Sequence, residues 1–154
     1  MLVQALEFSR IASNTVIKIP IQGPKDELEN LKVVNILEIG HGIKVNVTAC
    51  MSAQQCLMAA LAGTSYVSLF GGRVNDLGHS AVEEIKKIRQ LFDKLDKPPK
   101  LIIGSTREGF NVVEWLLAGA DIVTVTPNLM KRLIIHPHSK ITVQQFLEDA
   151  KYLK

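Results

Sequence analysis

The chain has little cysteine, little aromatic side chain and little net charge: two Cys, 5% Phe, Trp and Tyr, and a formal charge of +3 over 154 residues. Cys50 and Cys56 have neither a Cys-x-x-Cys nor a zinc-ligand spacing. That argues against a disulfide scaffold or structural zinc, and the two read as small core residues of a reduced, cytoplasmic protein. A small, scattered positive charge lacks the basic stripe that nucleic acid requires. No apolar run approaches the roughly 20 residues of a membrane span. Residues 1–12 have apolar positions at helical spacing but include Glu7 and no small-residue cleavage site, so they do not read as a leader. Asn-Gly hairpin dipeptides and low-complexity linkers are also missing, which argues against antiparallel meanders and a second domain.

What is present is an alternation of strand and helix patterns. Leu2, Ala5, Leu6 and Ile11 predict an amphipathic helix over 1–12. A β-branched run, Thr15 to Pro20, predicts a first strand. A helix is expected from Pro24 to about Ile39, with Pro24 in its first turn and Gly40 at its end. Further strands are expected at 43–48, 66–70, 101–103 and 122–125. Further helices are expected at 53–62 behind Ser52, 81–95 behind Ser80, 112–117, 129–133 and from Thr142 to Leu153. Gly71-Gly72-Arg73 reads as a loop. Strands separated by helices, without hairpin signals, imply repeated βα wiring and a parallel sheet.

Lys18 stands out. A short β-branched run reads as a buried strand, apolar on both faces, and an unpaired ammonium there costs several kcal/mol. In a dry pocket the lysine would shed its proton, and its neutral amine can attack a carbonyl to form a Schiff base. The competing reading is a lysine that ends the strand and snorkels to water.

Active sites of parallel α/β folds form at the carboxyl ends of the strands. There the chain offers Lys18; Asn46 and Thr48; Ser68, Phe70 and Arg73; Ser105 and Arg107; and Thr124 and Thr126. Two of the loops pair glycine with arginine, a combination suited to holding phosphate. Taken singly, each of these residues reads as a turn, a cap or a solvated charge. Together they place polar groups on one edge of every strand.

In Val16-Ile-Lys-Ile-Pro20, Ile43-Lys-Val-Asn-Val-Thr48, Tyr66-Val-Ser-Leu-Phe-Gly-Gly-Arg73, Asp76-Leu-Gly78, Gly119-Ala-Asp-Ile-Val-Thr124 and Phe146-Leu-Glu-Asp149 the sequence resembles the transaldolase family, nearest its fructose-6-phosphate aldolase-like subgroup. The resemblance implies an α/β fold of the (β/α)8 TIM-barrel type and a Schiff base with a ketose phosphate in sugar-phosphate metabolism. By position, Lys18 matches the Schiff-base lysine. Asn46 and Thr48 match residues that hold the intermediate and a catalytic water. Ser68 and Phe70 match the pocket wall, and Arg73, Ser105 and Arg107 the phosphate side. Phe70 stands where the aldolases carry tyrosine, which favours transfer of a dihydroxyacetone unit. No cofactor or metal is implied. The expected partners are a sugar phosphate and further copies of the chain, with no nucleic acid and no membrane.

The sequence departs from the family at Leu69, usually proline, and at Gly71, usually branched. A (β/α)8 domain needs roughly 200 residues or more, so residues 1–154 are expected to form a single incomplete barrel of about five βα units plus a terminal helix. The first three strands, with the family's acidic proton-transfer residue, are expected to be absent. Two other readings remain at this point. One is an inactive relic or sugar-phosphate-binding and oligomerisation module; the other is a five-stranded flavodoxin-like domain. The four histidines form no defensible catalytic pair, and His136-Pro-His138 reads as a surface turn.

Overall fold

A computed structural model describes residues 1–152. Its five strands are β1 (Ile17–Pro20), β2 (Val45–Cys50), β3 (Tyr66–Leu69), β4 (Lys100–Ile103) and β5 (Ile122–Val123), and they form one sheet in the order β1-β2-β3-β4-β5. All four pairings are parallel. Each strand therefore lies beside its sequence neighbour, the winding of a barrel segment. The flavodoxin-like alternative would place the second strand outside the first and is overturned by this order.

The helices are α1 (Leu2–Ser9), α2 (Glu29–Asn35), α3 (Ala53–Leu61), α4 (Gly71–Asp76), α5 (Ala81–Phe92), α6 (Gly109–Leu117), α7 (Pro127–Ile134) and α8 (Pro137–Asp149). A π-helical turn, Ile36–Gly40, extends α2, and a 3₁₀ turn, Ala150–Tyr152, follows α8. Ser52, Ser80 and Thr126 accept the N–H groups of Gln55, Glu83 and Leu129 and so cap α3, α5 and α7. Among the described residues no helix is long and apolar enough to cross a membrane.

One face of the sheet is covered and the other open. Ile17, Ile19, Val45, Val47, Val67, Leu69, Leu101 and Ile103 are buried with Val34, Leu37, Cys56, Ala59, Ile85, Ile88, Phe92 and Trp115 from the helical layer. In β1, buried Ile17 and Ile19 alternate with exposed Lys18 and Pro20. The reading of this strand as apolar on both faces is thus corrected. A four-residue run is too short to separate the two patterns by composition. Both cysteines are free and buried; a hydrogen bond with Cys50, and then burial, push the Cys56 thiol well up.

Other expectations shift too. The helix foreseen from Pro24 starts only at Glu29: residues 23–27 close a turn through the Gly23 N–H on the Glu27 carbonyl, and Asp26 has φ 61°. Asn30 then donates to the Pro20 carbonyl at 2.9 Å and ties α2 to β1. Gly71-Gly72-Arg73 is the first turn of α4, not a loop. The terminal helix begins at Pro137, because the His136 ring accepts the His138 N–H. Its foreseen end, Leu153, lies outside the described residues.

At the amino end of the sheet Asp121 braces β4 against β5. It accepts the Leu101 N–H at 2.8 Å, Arg89 at 2.7 Å and Lys100 at 3.2 Å. Burial acts to raise its pKa, but the Leu101 N–H, with Lys100 and Arg89, outweighs that and holds the carboxyl below the usual range. A carboxylate depressed in the folded state stabilises above its unfolded pKa of about 3.9, and that stabilisation is lost as pH falls through the lower folded value. Asp121→Asn is therefore expected to lower stability at neutral pH and to flatten its decline below about pH 4, read from urea midpoints taken between pH 6 and 3.

Candidate active site

The open face carries the polar row. Register pairs Lys18 with Asn46 and Pro20 with Thr48 across β1 and β2, and Ser68 Oγ of β3 donates to Asn46 Oδ1 at 2.8 Å. Strands lie about 4.8 Å apart, so Lys18, Asn46 and Ser68 follow one another across three adjacent strands. Ser68 and Thr48 are buried, whereas Lys18 is exposed because β1 is an edge strand. The dry enclosure foreseen for Lys18 is not formed by the described residues.

Thr48 is 9% exposed, and its hydroxyl has no hydrogen-bond partner among the described residues. A buried hydroxyl left unpaired costs about 1–3 kcal/mol; the Trp115 indole N–H is the other buried side-chain group without a partner among the described residues. The backbone beside it is irregular. Val47 pairs with Val67 and Cys50 with Leu69, so β2 takes three steps where β3 takes two. The surplus residue of this β-bulge leaves Ala49 at φ 61°. A left-handed conformation costs an alanine about 1–2 kcal/mol, and bulges of this kind re-aim side chains next to active sites. Here Cys50 turns into the core while Thr48 keeps the side shared with Asn46. No glycine announces the bulge in the sequence, and it went unforeseen.

The carboxyl ends of β3 and β4 meet closely. A Cβ on Gly72 would stand 1.7 Å from the Ser105 carbonyl oxygen, and one on Gly71 would stand 2.7 Å from Ile103 Cγ2 and 3.0 Å from Trp115 Cζ2. Two glycines thus seat the start of α4 directly on the loop after β4, where Ser105 itself has φ 63°. The Phe70 ring lies beside Gly104: a Cβ there would be 3.8 Å from Phe70 Cδ1 and 3.6 Å from Thr124 Oγ1. The Arg73 guanidinium sits 5.0 Å from the Phe70 ring centroid, a cation–π arrangement. So the structure gathers Phe70, Arg73 and Ser105 around the start of α4. Arg107 is engaged elsewhere: its Nη2 is 2.9 Å from Asp76 Oδ2. Asp76 had not been foreseen as a site residue, although its place three residues after Arg73 in a helix puts both on one face.

The remaining strand-end polar groups have structural partners. Thr124 Oγ1 reaches the Ile103 carbonyl at 3.4 Å, and Thr126 caps α7. The His136 and His138 rings, 5.7 Å apart, belong to the start of α8. Among the described residues no three His, Cys, Asp or Glu are placed to hold a metal.

Against known proteins, residues 1–154 match the family model described as Transaldolase/Fructose-6-phosphate aldolase. A probable transaldolase of Desulforudis audaxviator (strain MP104C) is 40% identical over 154 residues, all of this chain and 69% of that relative. One of Thermodesulfovibrio yellowstonii is 40% identical over the same shares. One of Methanococcus maripaludis (strain C7) is 38% identical over 149 residues, 97% of this chain and 66% of that relative. Among solved structures, a mandelate oxidase with (S)-2-phenylpropionate superposes with a TM-score of 0.57 over 81% of this chain and 46% of its own, at 13% identity. That likeness concerns the fold alone.

Proposed function

Because the chain belongs to the transaldolase/fructose-6-phosphate aldolase family, we propose that its open sheet face binds a ketose phosphate and that Lys18 condenses with the ketone as a Schiff base. The observation that carries this is the row across three strands: Lys18 in register with Asn46, and Asn46 bonded to Ser68 at 2.8 Å. In the first step the Lys18 Nζ lone pair attacks the ketone carbon, and the carbonyl oxygen takes up a proton. Loss of water from the resulting carbinolamine leaves the imine, so amine and ketone give imine plus one water. Asn46 and Ser68 orient the hydroxyls beside that carbon, and Thr48 offers its unpaired hydroxyl to the intermediate or to a water. Arg73, Ser105 and Arg107 hold the phosphate, which fixes the ketone near the amine and raises its effective concentration.

The five strands contain no Asp or Glu, so the step assigned to these residues is imine formation. Phe70 has no hydroxyl to give, which favours passing the three-carbon unit to an acceptor over releasing it. The chain is read as one partial-barrel domain that works in the cytoplasm without a cofactor. It is also read as a homo-oligomer. No residue of α8 is buried, and Leu133, Ile134, Ile135, Phe146 and Leu147 are all exposed, an apolar surface suited to further copies.

The phosphate assignment is tested by binding. A hydrogen bond to a charged group contributes about 1.5–3 kcal/mol, and 1.4 kcal/mol is tenfold in affinity. Arg73→Ala is expected to weaken fructose 6-phosphate binding about tenfold or more in calorimetric titration while leaving unphosphorylated fructose unaffected. Equal binding of the phosphate ester by variant and parent would refute the assignment.

A further inference from the structure

We infer that Asp76 is a built-in competitor for the ligand's phosphate, a carboxylate that pairs with Arg107 and limits how tightly a sugar phosphate is held. The inference rests on the reading of Arg73, Ser105 and Arg107 as the phosphate side.

Among the described residues, Asp76 is the one carboxylate ion-paired with either of these two arginines, at 2.9 Å from Arg107. The pair does not serve the fold. Its side chains are 56% and 55% exposed, and ion pairs so wet add little to stability. Nor does α4 need it for anchoring. Its first turn is locked by Gly72 against the Ser105 carbonyl, and at its other end Asn75 Oδ1 accepts the Ala81 N–H at 2.9 Å. Arg73 has gone to the Phe70 ring instead. Glu108, the other acid near Arg107 in sequence, faces Arg132 at 3.7 Å.

The two guanidinium groups and the one carboxylate sum to a single positive charge. An incoming phosphate has to share Arg107 with a group of its own sign or take the arginine from it. Such repulsion limits affinity and hastens departure of the phosphorylated product. It scales with the charge of the ligand, because Coulomb energy is proportional to the product of the charges. A role in merely pointing Arg107 at the ligand has the opposite signature: removing Asp76 would then weaken every anion.

The test is calorimetric titration at low salt and pH 8 with fructose, its 6-sulfate and its 6-phosphate, which carry charges of zero, minus one and about minus two. The proteins are the parent, Asp76→Asn, Asp76→Glu, Arg107→Ala and the Asp76→Asn/Arg107→Ala double variant, each with its melting temperature. Asp76→Asn is expected to leave fructose unchanged, to tighten the sulfate about twofold and to tighten the phosphate about fourfold, an effect that fades above roughly 0.3 M salt. Asp76→Glu should stay near the parent, and the double variant should show less gain over Arg107→Ala than Asp76→Asn shows over the parent. If Asp76→Asn weakens or does not change the two charged ligands, the competitor role is wrong. If Arg107→Ala leaves phosphate affinity unchanged, it is the phosphate-site reading that fails, and the competitor role falls with it.

Discussion

Replacing Gly72 by alanine is expected to cost about 3 kcal/mol of folding stability and to remove most of the sugar-phosphate affinity. The added Cβ would lie 1.7 Å from the Ser105 carbonyl oxygen and 2.9 Å from its carbonyl carbon. These are backbone atoms, on a residue already at φ 63°, so no side chain can swing aside. Either α4 or the loop after β4 has to move, and overpacking of this kind costs about 1–3 kcal/mol, with the upper end expected where the obstacle is rigid. The same shift would separate Arg73, which rides on α4, from Ser105. Gly40 provides the contrast: a Cβ there meets only Ile36 Cγ2, at 3.9 Å, and Gly40→Ala should stay within about 0.5 kcal/mol of the parent. Urea unfolding and a fructose 6-phosphate titration on both variants check the pair of expectations. If Gly72→Ala is as stable as the parent and binds as well, α4 and Ser105 are not in the close contact described.

Gly71 and Gly72 also show where the sequence stops being legible. Adjacent glycines suggest a turn, and a loop was expected there. The reason for them is tertiary: a helix start that presses on Ser105, Ile103 and Trp115, all distant in sequence or unassigned to that contact. The bulge at Ala49 is hidden for a related reason, since alanine gives no sign of a positive φ. Pro24 suits a helix start by local preference, but the turn closed by Gly23 and Glu27 overrides it. By contrast, the five strands, their parallel direction and the face that Lys18, Asn46, Thr48 and Ser68 share were readable, although Lys18 and Asn46 fall at the second positions of β1 and β2 and not at their carboxyl ends. Runs such as Ile43 to Thr48 alternate plainly, and βα connections leave few arrangements. For Lys18 the composition of the run left a dry and a solvated reading open, and the structure has it exposed on an edge strand. Asp76 stands in the stretch Asp76-Leu-Gly78, but its partner, Arg107, lies 31 positions away, and no local pattern joins them.

The second large effect concerns Lys18. Condensation with a ketone is open to any unprotonated lysine in principle. A phosphate held at the carboxyl edge would fix the carbonyl beside one amine, and well-oriented neighbours gain the equivalent of very high concentration. Lys18→Met is therefore expected to abolish covalent trapping by at least about a hundredfold, while fructose 6-phosphate still binds through Arg73 and Ser105. Imine formation needs only an unprotonated amine and a bound ketone, so it is expected even where carbon–carbon cleavage is slow. The direct measurement is mass spectrometry of the protein after incubation with dihydroxyacetone phosphate or fructose 6-phosphate and reduction with borohydride. The account predicts one reduced adduct, on the peptide that carries Lys18, absent from Lys18→Met. A folded chain that binds the sugar phosphate yet shows no adduct at Lys18, or shows it equally on other lysines, would contradict it.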